Sequence, residues 1–132
     1  MKLMLDTNIC IYIIKQQPPT VLSRFLEYQI GDICISAITL SELRYGVAKS
    51  KYKEKNSTAL DEFIIPLEIV PFDEGAALIH GDIRACLENA GIPIGSMDYL
   101  IAAHALSLGV TLVTNNTREF MRIPNLTLAD WT

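Results

Sequence analysis

Four acidic residues, Asp6, Glu42, Asp98 and Glu119, have the types and positions from which a catalytic site could be built in this chain of 132 residues. Asp6 directly follows a short apolar run, and Glu42 and Asp98 lie among apolar neighbours. A carboxylate in such surroundings is costly to bury unless something compensates its charge. A shared divalent cation is one such compensation, because Mg²⁺ takes oxygen ligands and often only one or two carboxylates. Two such ions can hold the attacking and leaving oxygens of a phosphodiester during hydrolysis.

Asp6 and Asp98 each also have a purely structural interpretation. Asp6 could simply turn the chain, since Asp and Asn favour such positions. Asp98 lies two residues after Ser96, which is expected to cap a helix, so its charge could serve only to stabilise the helix dipole.

Glu42 and Glu119 are equally open to a structural interpretation as members of surface ion pairs. Glu42 has Arg44 and Lys49 nearby in sequence, and Glu119 directly follows Arg118. Exposed pairs of this kind contribute little to stability and need no functional explanation.

The composition is that of one domain, residues 1–132, with a large apolar fraction. Half of the residues are hydrophobic, which predicts either a dense core or an apolar surface kept for a partner. The net charge of −4 is unusual for a protein that handles nucleic acid. Without the four acids named above, however, the 15 Asp and Glu would fall to 11 and equal the 11 Lys and Arg.

Other kinds of site find little support in the sequence. The three cysteines are far apart and form no C-x-x-C pair, which favours small buried hydrophobes over a zinc or redox site. His80 and His104 are not at zinc-binding spacing and are interpreted as structural. There is no G-x-S-x-G, P-loop or G-x-G-x-x-G motif, so a hydrolase triad or a nucleotide-binding fold is not indicated.

Apolar patterning predicts strands that alternate with helices. Strands are expected over residues 2–5, 32–35, 67–70, 110–114 and, at one edge, 126–129. The apolar stretch 9–14 is ambiguous between strand and helix, although Thr7 or Asn8 could cap a helix there. The other helices are expected over 20–29, from a Ser36 cap to about Ser50, and over 57–65, 73–90, 96–108 and 115–120. Gly109 is expected to end the helix 96–108.

This alternation predicts an α/β fold with a parallel sheet and helices on both faces. Sites in such folds form beyond the carboxyl ends of the strands. Asp6 follows the first strand and the segment 114–119 follows the fourth. Both are therefore expected at the same edge of the sheet.

Four sequence segments, taken together and in order, resemble the PIN-domain family, and specifically VapC-type toxins of bacterial toxin–antitoxin pairs. Each segment is weak by itself, but in combination they are specific and cover nearly the whole chain. They are residues 4–9 (MLDTNI), 35–46 (ISAITLSELRYG), 94–102 (IGSMDYLIA) and 112–120 (LVTNNTREF).

The resemblance implies a three-layer α/β/α sandwich and an endoribonuclease that depends on Mg²⁺ or Mn²⁺. It implies that Asp6, Glu42 and Asp98 form the site and bind metal. Many members have a fourth acid where this chain has Asn116, and Glu119, one helical turn on, is the expected substitute.

On this basis we assign expected roles to the site residues. Asp6 and Asp98 would be the main metal ligands, and Glu42 would hold a second ion or position the attacking water. Glu119 would complete the acidic rim. The expected supporting residues are Thr7, Thr114 and Asn116.

The resemblance also implies partners. These are an RNA substrate, a cognate antitoxin that blocks the site, and a second copy of the chain. In the branch of the family that the chain resembles, the RNA is initiator transfer RNA, which is cut in the anticodon loop. Lys and Arg of the segment 44–55 could contact phosphates or form a solvated face.

With no apolar run of about 18 residues and no recognisable signal peptide, a cytoplasmic location is expected. The alternatives are a structure-specific DNA nuclease and a nucleic-acid-binding module with a degenerate site.

Overall fold

A computed structural model describes all 132 residues and shows five strands and seven helices. The strands are β1 (Leu3–Leu5), β2 (Ile33–Ser36), β3 (Glu68–Val70), β4 (Thr111–Val113) and β5 (Leu128–Ala129). The helices are α1 (Thr7–Lys15), α2 (Pro19–Phe25), α3 (Ala37–Ala48), α4 (Lys53–Ile64), α5 (Glu74–Asn89), α6 (Ser96–Leu108) and α7 (Thr117–Phe120). None of the helices is both long and apolar enough to cross a membrane.

The strands form one parallel sheet in the order β3-β2-β1-β4-β5. The chain runs outward from β1 to β3 and then returns to the other side of β1. This makes the boundary between β1 and β4 the point where the strand order reverses, and ligand sites of open α/β sheets form beyond the strand ends at such a point.

Alternate residues of the central strands bury two separate cores. In β1, Leu3 and Leu5 join one core with residues of α1–α4, whereas Met4 joins the other with residues of α6 and α7. Side chains alternate across a strand, so each residue of β1 is committed to one face. The prediction of a three-layer α/β/α sandwich is therefore confirmed.

Several helix boundaries differ from those predicted. Asp6, rather than Thr7 or Asn8, caps α1, and its carboxylate accepts a hydrogen bond of 2.9 Å from the backbone N–H of Ile9. Gly95 is the residue that caps α6, and Ser96 is the first helical residue and makes no capping hydrogen bond with its side chain. The helix α2 ends at Phe25 instead of residue 29, and α4 begins at Lys53 instead of residue 57.

Two other predicted helix boundaries are confirmed, whereas the predicted burial of one cysteine is wrong. Ser36 caps α3 through its hydroxyl, which accepts a hydrogen bond of 3.0 Å from Ile38 N. Gly109 ends α6 in the left-handed conformation, with φ of 67°. Cys10 and Cys34 are buried as expected, but Cys86 is exposed on α5.

Candidate active site

Asp6 lies at the centre of the candidate site, where β1 ends beside β4. Its backbone N–H donates to Val113 O of β4 at 3.0 Å, which joins the two strand ends. The side chain is only 5% exposed. One carboxylate oxygen accepts from Ile9 N, and the other accepts from Thr114 Oγ1 at 2.5 Å. Both oxygens are thus held in place, while each keeps a further lone pair for another partner.

Thr114 connects Asp6 to the segment that follows β4. Its buried hydroxyl donates to Asp6 Oδ2 and accepts a hydrogen bond of 2.9 Å from Asn116 N. The side-chain amide of Asn116 donates to Glu119 Oε2 at 3.2 Å. Asn116 and Glu119, the two candidates for the fourth position, therefore contact each other. Arg118 makes no ion pair, so the interpretation of Glu119 as its surface partner is wrong.

Glu42 reaches the site from the second turn of α3. Its Oε1 accepts a hydrogen bond of 2.6 Å from the hydroxyl of Thr7, the first residue of α1. The expected surface pairing with Arg44 or Lys49 is absent, since Arg44 instead pairs with Asp61 at 2.8 Å. Thr7 directly follows Asp6 in the chain, so this hydrogen bond ties the carboxylate of Glu42 to the segment that carries Asp6.

Asp98 lies in the first turn of α6, half-buried, and faces the other three acids. Burial raises the pKa of this carboxyl to about 6, and the negative charges of Glu119, Asp6 and Glu42 add to the effect. Burial also raises the pKa of Asp6, and the charge of Glu42 adds to this rise, whereas the hydrogen bonds to Asp6 oppose it. Asp98 therefore lies close enough to each of the other three predicted acids to be repelled by it, and Asp6 and Glu42 also repel each other.

Glycine at position 95 was not recognised from the sequence as part of the site. A Cβ atom placed there would lie 3.3 Å from Asp98 Oδ2, which is shorter than most Cβ contacts in proteins. The Asp98 carboxylate therefore folds back over the start of α6 into the space that Gly95 leaves open. The only signal in the sequence was the I-G-S-M-D segment (residues 94–98), which spans the start of α6.

The donor set is suited to a hard divalent cation such as Mg²⁺. None of the four acids forms an ion pair with Lys, Arg or His, so their mutual repulsion has no compensating charge from the protein. No three Asp, Glu, His or Cys side chains lie close enough together to hold a metal ion by themselves. Mg²⁺ seldom needs three such ligands, because it keeps several waters and is completed by substrate phosphates.

A buried contact joins the helices that carry Glu42 and Asp98. The Ser36 hydroxyl, at the start of α3, lies 2.7 Å from His104 Nδ1 on α6, and both side chains are buried. The hydroxyl already accepts from Ile38 N, so its own hydrogen is free to point to the imidazole nitrogen. Burial lowers the pKa of His104, which keeps the ring neutral and able to accept this hydrogen bond. The interpretation of His104 as a structural residue agrees with this contact.

Comparison with known proteins identifies the family. The PIN domain model matches residues 3–126. The chain is 48% identical to Ribonuclease VapC2 of Rickettsia felis, over 97% of this chain and 96% of the relative. It is 47% identical to the tRNA(fMet)-specific endonuclease VapC of Shigella flexneri, over 99% of this chain and 98% of the relative.

The fold agrees with this assignment. The crystal structure of VapBC2 from Rickettsia felis, bound to a DNA fragment from their promoter, superposes with a TM-score of 0.92 at 47% identity and with full coverage of both chains. The chain is therefore a member of the PIN-domain family, and within it of the VapC-type ribonucleases.

Proposed function

We propose that this chain is the toxin of a toxin–antitoxin pair and acts as a Mg²⁺-dependent endoribonuclease on transfer RNA. The observation that carries the proposal is the group of four carboxylates at the β1–β4 switch point, none of which is neutralised by a basic side chain. The similarity to relatives named ribonuclease and tRNA(fMet)-specific endonuclease supports RNA, and specifically initiator tRNA, as the substrate. That the cut falls in the anticodon loop is part of the proposal.

Asp6, Asp98 and Glu42 are the residues that we expect to hold the metal. Mn²⁺ should substitute for Mg²⁺, since both suit carboxylate and water ligands. Bound there, the metal would activate a water and stabilise charge on the phosphate oxygens during hydrolysis.

The protein's own contribution is to keep these carboxylates in fixed positions. Thr114 and Ile9 hold both oxygens of Asp6, and Thr7 holds one oxygen of Glu42. Asn116 orients Glu119, so the amide and the acid act together at the fourth position instead of one replacing the other. Glu119 has no such constraint on its second oxygen, which leaves it free to orient a water at the rim.

The partners proposed for the chain are a cognate antitoxin and a second copy of itself. Similar chains occur in VapBC complexes, such as VapBC2 of Rickettsia felis, and this supports the antitoxin. An apolar groove of about 320 Å³ between α1, α3 and α4 opens beside Glu42, and it offers the antitoxin a place from which to cover the acids. Ile14, Val47 and Leu60 are among the residues that line it.

The test is cleavage of purified initiator tRNA, total RNA and single-stranded and duplex DNA in one assay, with Mg²⁺ or with a chelator. We expect cleavage of tRNA that requires Mg²⁺. Preferential cleavage of DNA would favour the structure-specific DNA nuclease, and binding of RNA without cleavage would favour the degenerate module.

A further inference from the structure

Six exposed residues around the junction of α3 and α4 form a surface that lies outside the group of acids described above. We call it the basic–aromatic surface, and it consists of Tyr45, Lys49, Lys51, Tyr52, Lys53 and Lys55. Tyr45 and Tyr52 are 66% and 63% exposed, whereas the other three tyrosines of the chain are buried or half-buried. Large aromatic rings usually contribute to cores or interfaces, so two exposed rings in one short segment need an explanation.

The charge of this surface is opposite to that of the protein as a whole. Four of the chain's 11 Lys and Arg lie in residues 49–55, in a protein whose net charge is −4. None of these four lysines forms an ion pair with an acidic side chain. A local positive field of this kind attracts a polyanion despite the acidic total.

The lysines and the aromatic rings are also close to each other. Lys49 Nζ lies 4.9 Å from the centre of the Tyr45 ring, and Lys51 Nζ lies 5.8 Å from the centre of the Tyr52 ring. Each ring therefore has an ammonium group over it. Stacking rings next to cations are what non-specific binding of single-stranded nucleic acid uses, with bases on the rings and phosphates on the cations.

The surface continues directly from the acids. Glu42 and Tyr45 are spaced i and i+3 on α3, and Lys49, at i+7, is the C-cap residue of that helix, so the three lie on one side of it. At a rise of about 1.5 Å per residue, Lys49 is about 10 Å along the helix axis from Glu42. A strand whose scissile phosphate lies at the acids thus reaches the surface within a few nucleotides.

We propose that the basic–aromatic surface binds an unpaired segment of the RNA substrate, with bases stacked on Tyr45 and Tyr52 and phosphates on the lysines. This proposal rests on the proposed RNA cleavage, because it extends the binding site of that reaction. RNA is favoured over a protein as the occupant because lysine is depleted in protein–protein interfaces, and here four lysines share the surface with the two rings.

The experiment measures binding of fluorescein-labelled initiator tRNA by anisotropy in chelator, and cleavage of the same RNA with Mg²⁺. The variants are Tyr45→Ala, Tyr52→Ala and the double variant Lys51→Gln/Lys53→Gln. Tyr45→Phe keeps the ring, and Lys2→Gln removes a charge from the opposite edge of the sheet. A blunt duplex RNA without unpaired nucleotides serves as the second probe.

We expect each Tyr→Ala variant to bind the tRNA about tenfold more weakly, the usual effect of losing one base–aromatic stack. The cleavage defect should lie in KM, and Tyr45→Phe and Lys2→Gln should bind as the unaltered chain does. The double lysine variant should reduce the dependence of affinity on salt. The duplex should bind more weakly than the tRNA and respond little to Tyr45→Ala.

Unchanged tRNA affinity in both Tyr→Ala variants would overturn the proposal and leave the proposed function intact. A change in oligomeric mass without a change in RNA affinity would also overturn it, since the surface would then be a protein interface. If the unaltered chain binds tRNA through these tyrosines but does not cleave it, the proposed function fails and this inference stands. If it binds no RNA, both fail.

Discussion

The hydroxyl of Thr114 donates a hydrogen bond of 2.5 Å to the carboxylate of Asp6, across 108 positions of sequence. The two residues follow β4 and β1, which are neighbours in the sheet, and Asp6 N also bonds to Val113 O. The central carboxylate of the site is therefore aligned by the strand pairing itself. Substitutions at these two positions should consequently have separable effects on charge and on alignment.

Replacing Asp6→Asn should abolish most RNA cleavage while the fold persists. Asn keeps the shape of the side chain and is as good a helix cap as Asp, so α1 should keep its start. What is lost is the negative charge that we expect to bind metal. Initial rates of tRNA cleavage, with circular dichroism as the test of folding, check this. Asp61→Asn, on the surface of α4, is the matched control, and full cleavage by Asp6→Asn would refute the assignment.

Replacing Thr114→Val should lower both stability and activity. Valine has nearly the same shape but leaves Asn116 N and Asp6 Oδ2 without their shared partner. Loss of a buried hydrogen-bond partner costs about 1–3 kcal/mol in the free energy of unfolding. Urea unfolding and cleavage rates measure the two effects. Thr114→Ser keeps the hydroxyl and should recover most of the activity; equal rates for the two variants would mean that alignment of Asp6 is unimportant.

Replacing Ser36→Ala should destabilise the chain far more than Ser96→Ala. Ser36 accepts from Ile38 N and contacts His104, whereas the side chain of Ser96 makes no capping hydrogen bond. Loss of a serine cap costs about 1 kcal/mol, and a buried partner is lost as well. Ser96→Ala should stay within about 0.5 kcal/mol of the unaltered chain. Urea unfolding compares the two, and similar losses would contradict the cap assignments.

The metal-free chain should lose stability as the pH rises through about 6, because of Asp98. Its carboxyl has a pKa of about 6 in the fold, with burial as the main cause and Glu119, Asp6 and Glu42 as the neighbouring charges, against about 4 in an unfolded chain. Since the folded chain holds this proton more tightly, the stabilisation is complete below pH 4 and disappears as the pH rises through 6.

Thermal unfolding in chelator between pH 4 and 7 measures this contribution. Comparison with Asp98→Asn isolates it from the other groups, because that variant cannot titrate at position 98. The difference in Tm between the two chains should shift in favour of Asp98→Asn as the pH rises. A difference that is independent of pH would show that Asp98 experiences neither the burial nor the repulsion that raises its pKa.

The sequence by itself was enough to predict the type of fold and the four acids that the structure brings near one another. Alternating apolar strands and helices predict a parallel sheet, because strands buried on both faces must be apolar throughout. The position of Asp6 after the first strand and of Thr114 after the fourth predicts a shared edge. These are local patterns. The expected activity, metal and site residues came from the family resemblance of residues 4–9, 35–46, 94–102 and 112–120.

Only the tertiary structure decided how the acids are held and which contacts they make. That Asp6 rather than Thr7 caps α1 depends on a choice between adjacent side chains of similar capping ability. That Glu42 bonds to Thr7 instead of Arg44 depends on where α1 and α3 meet, and that Glu119 contacts Asn116 depends on the turn after β4. Such choices are made by packing between elements distant in sequence, and no local pattern records them.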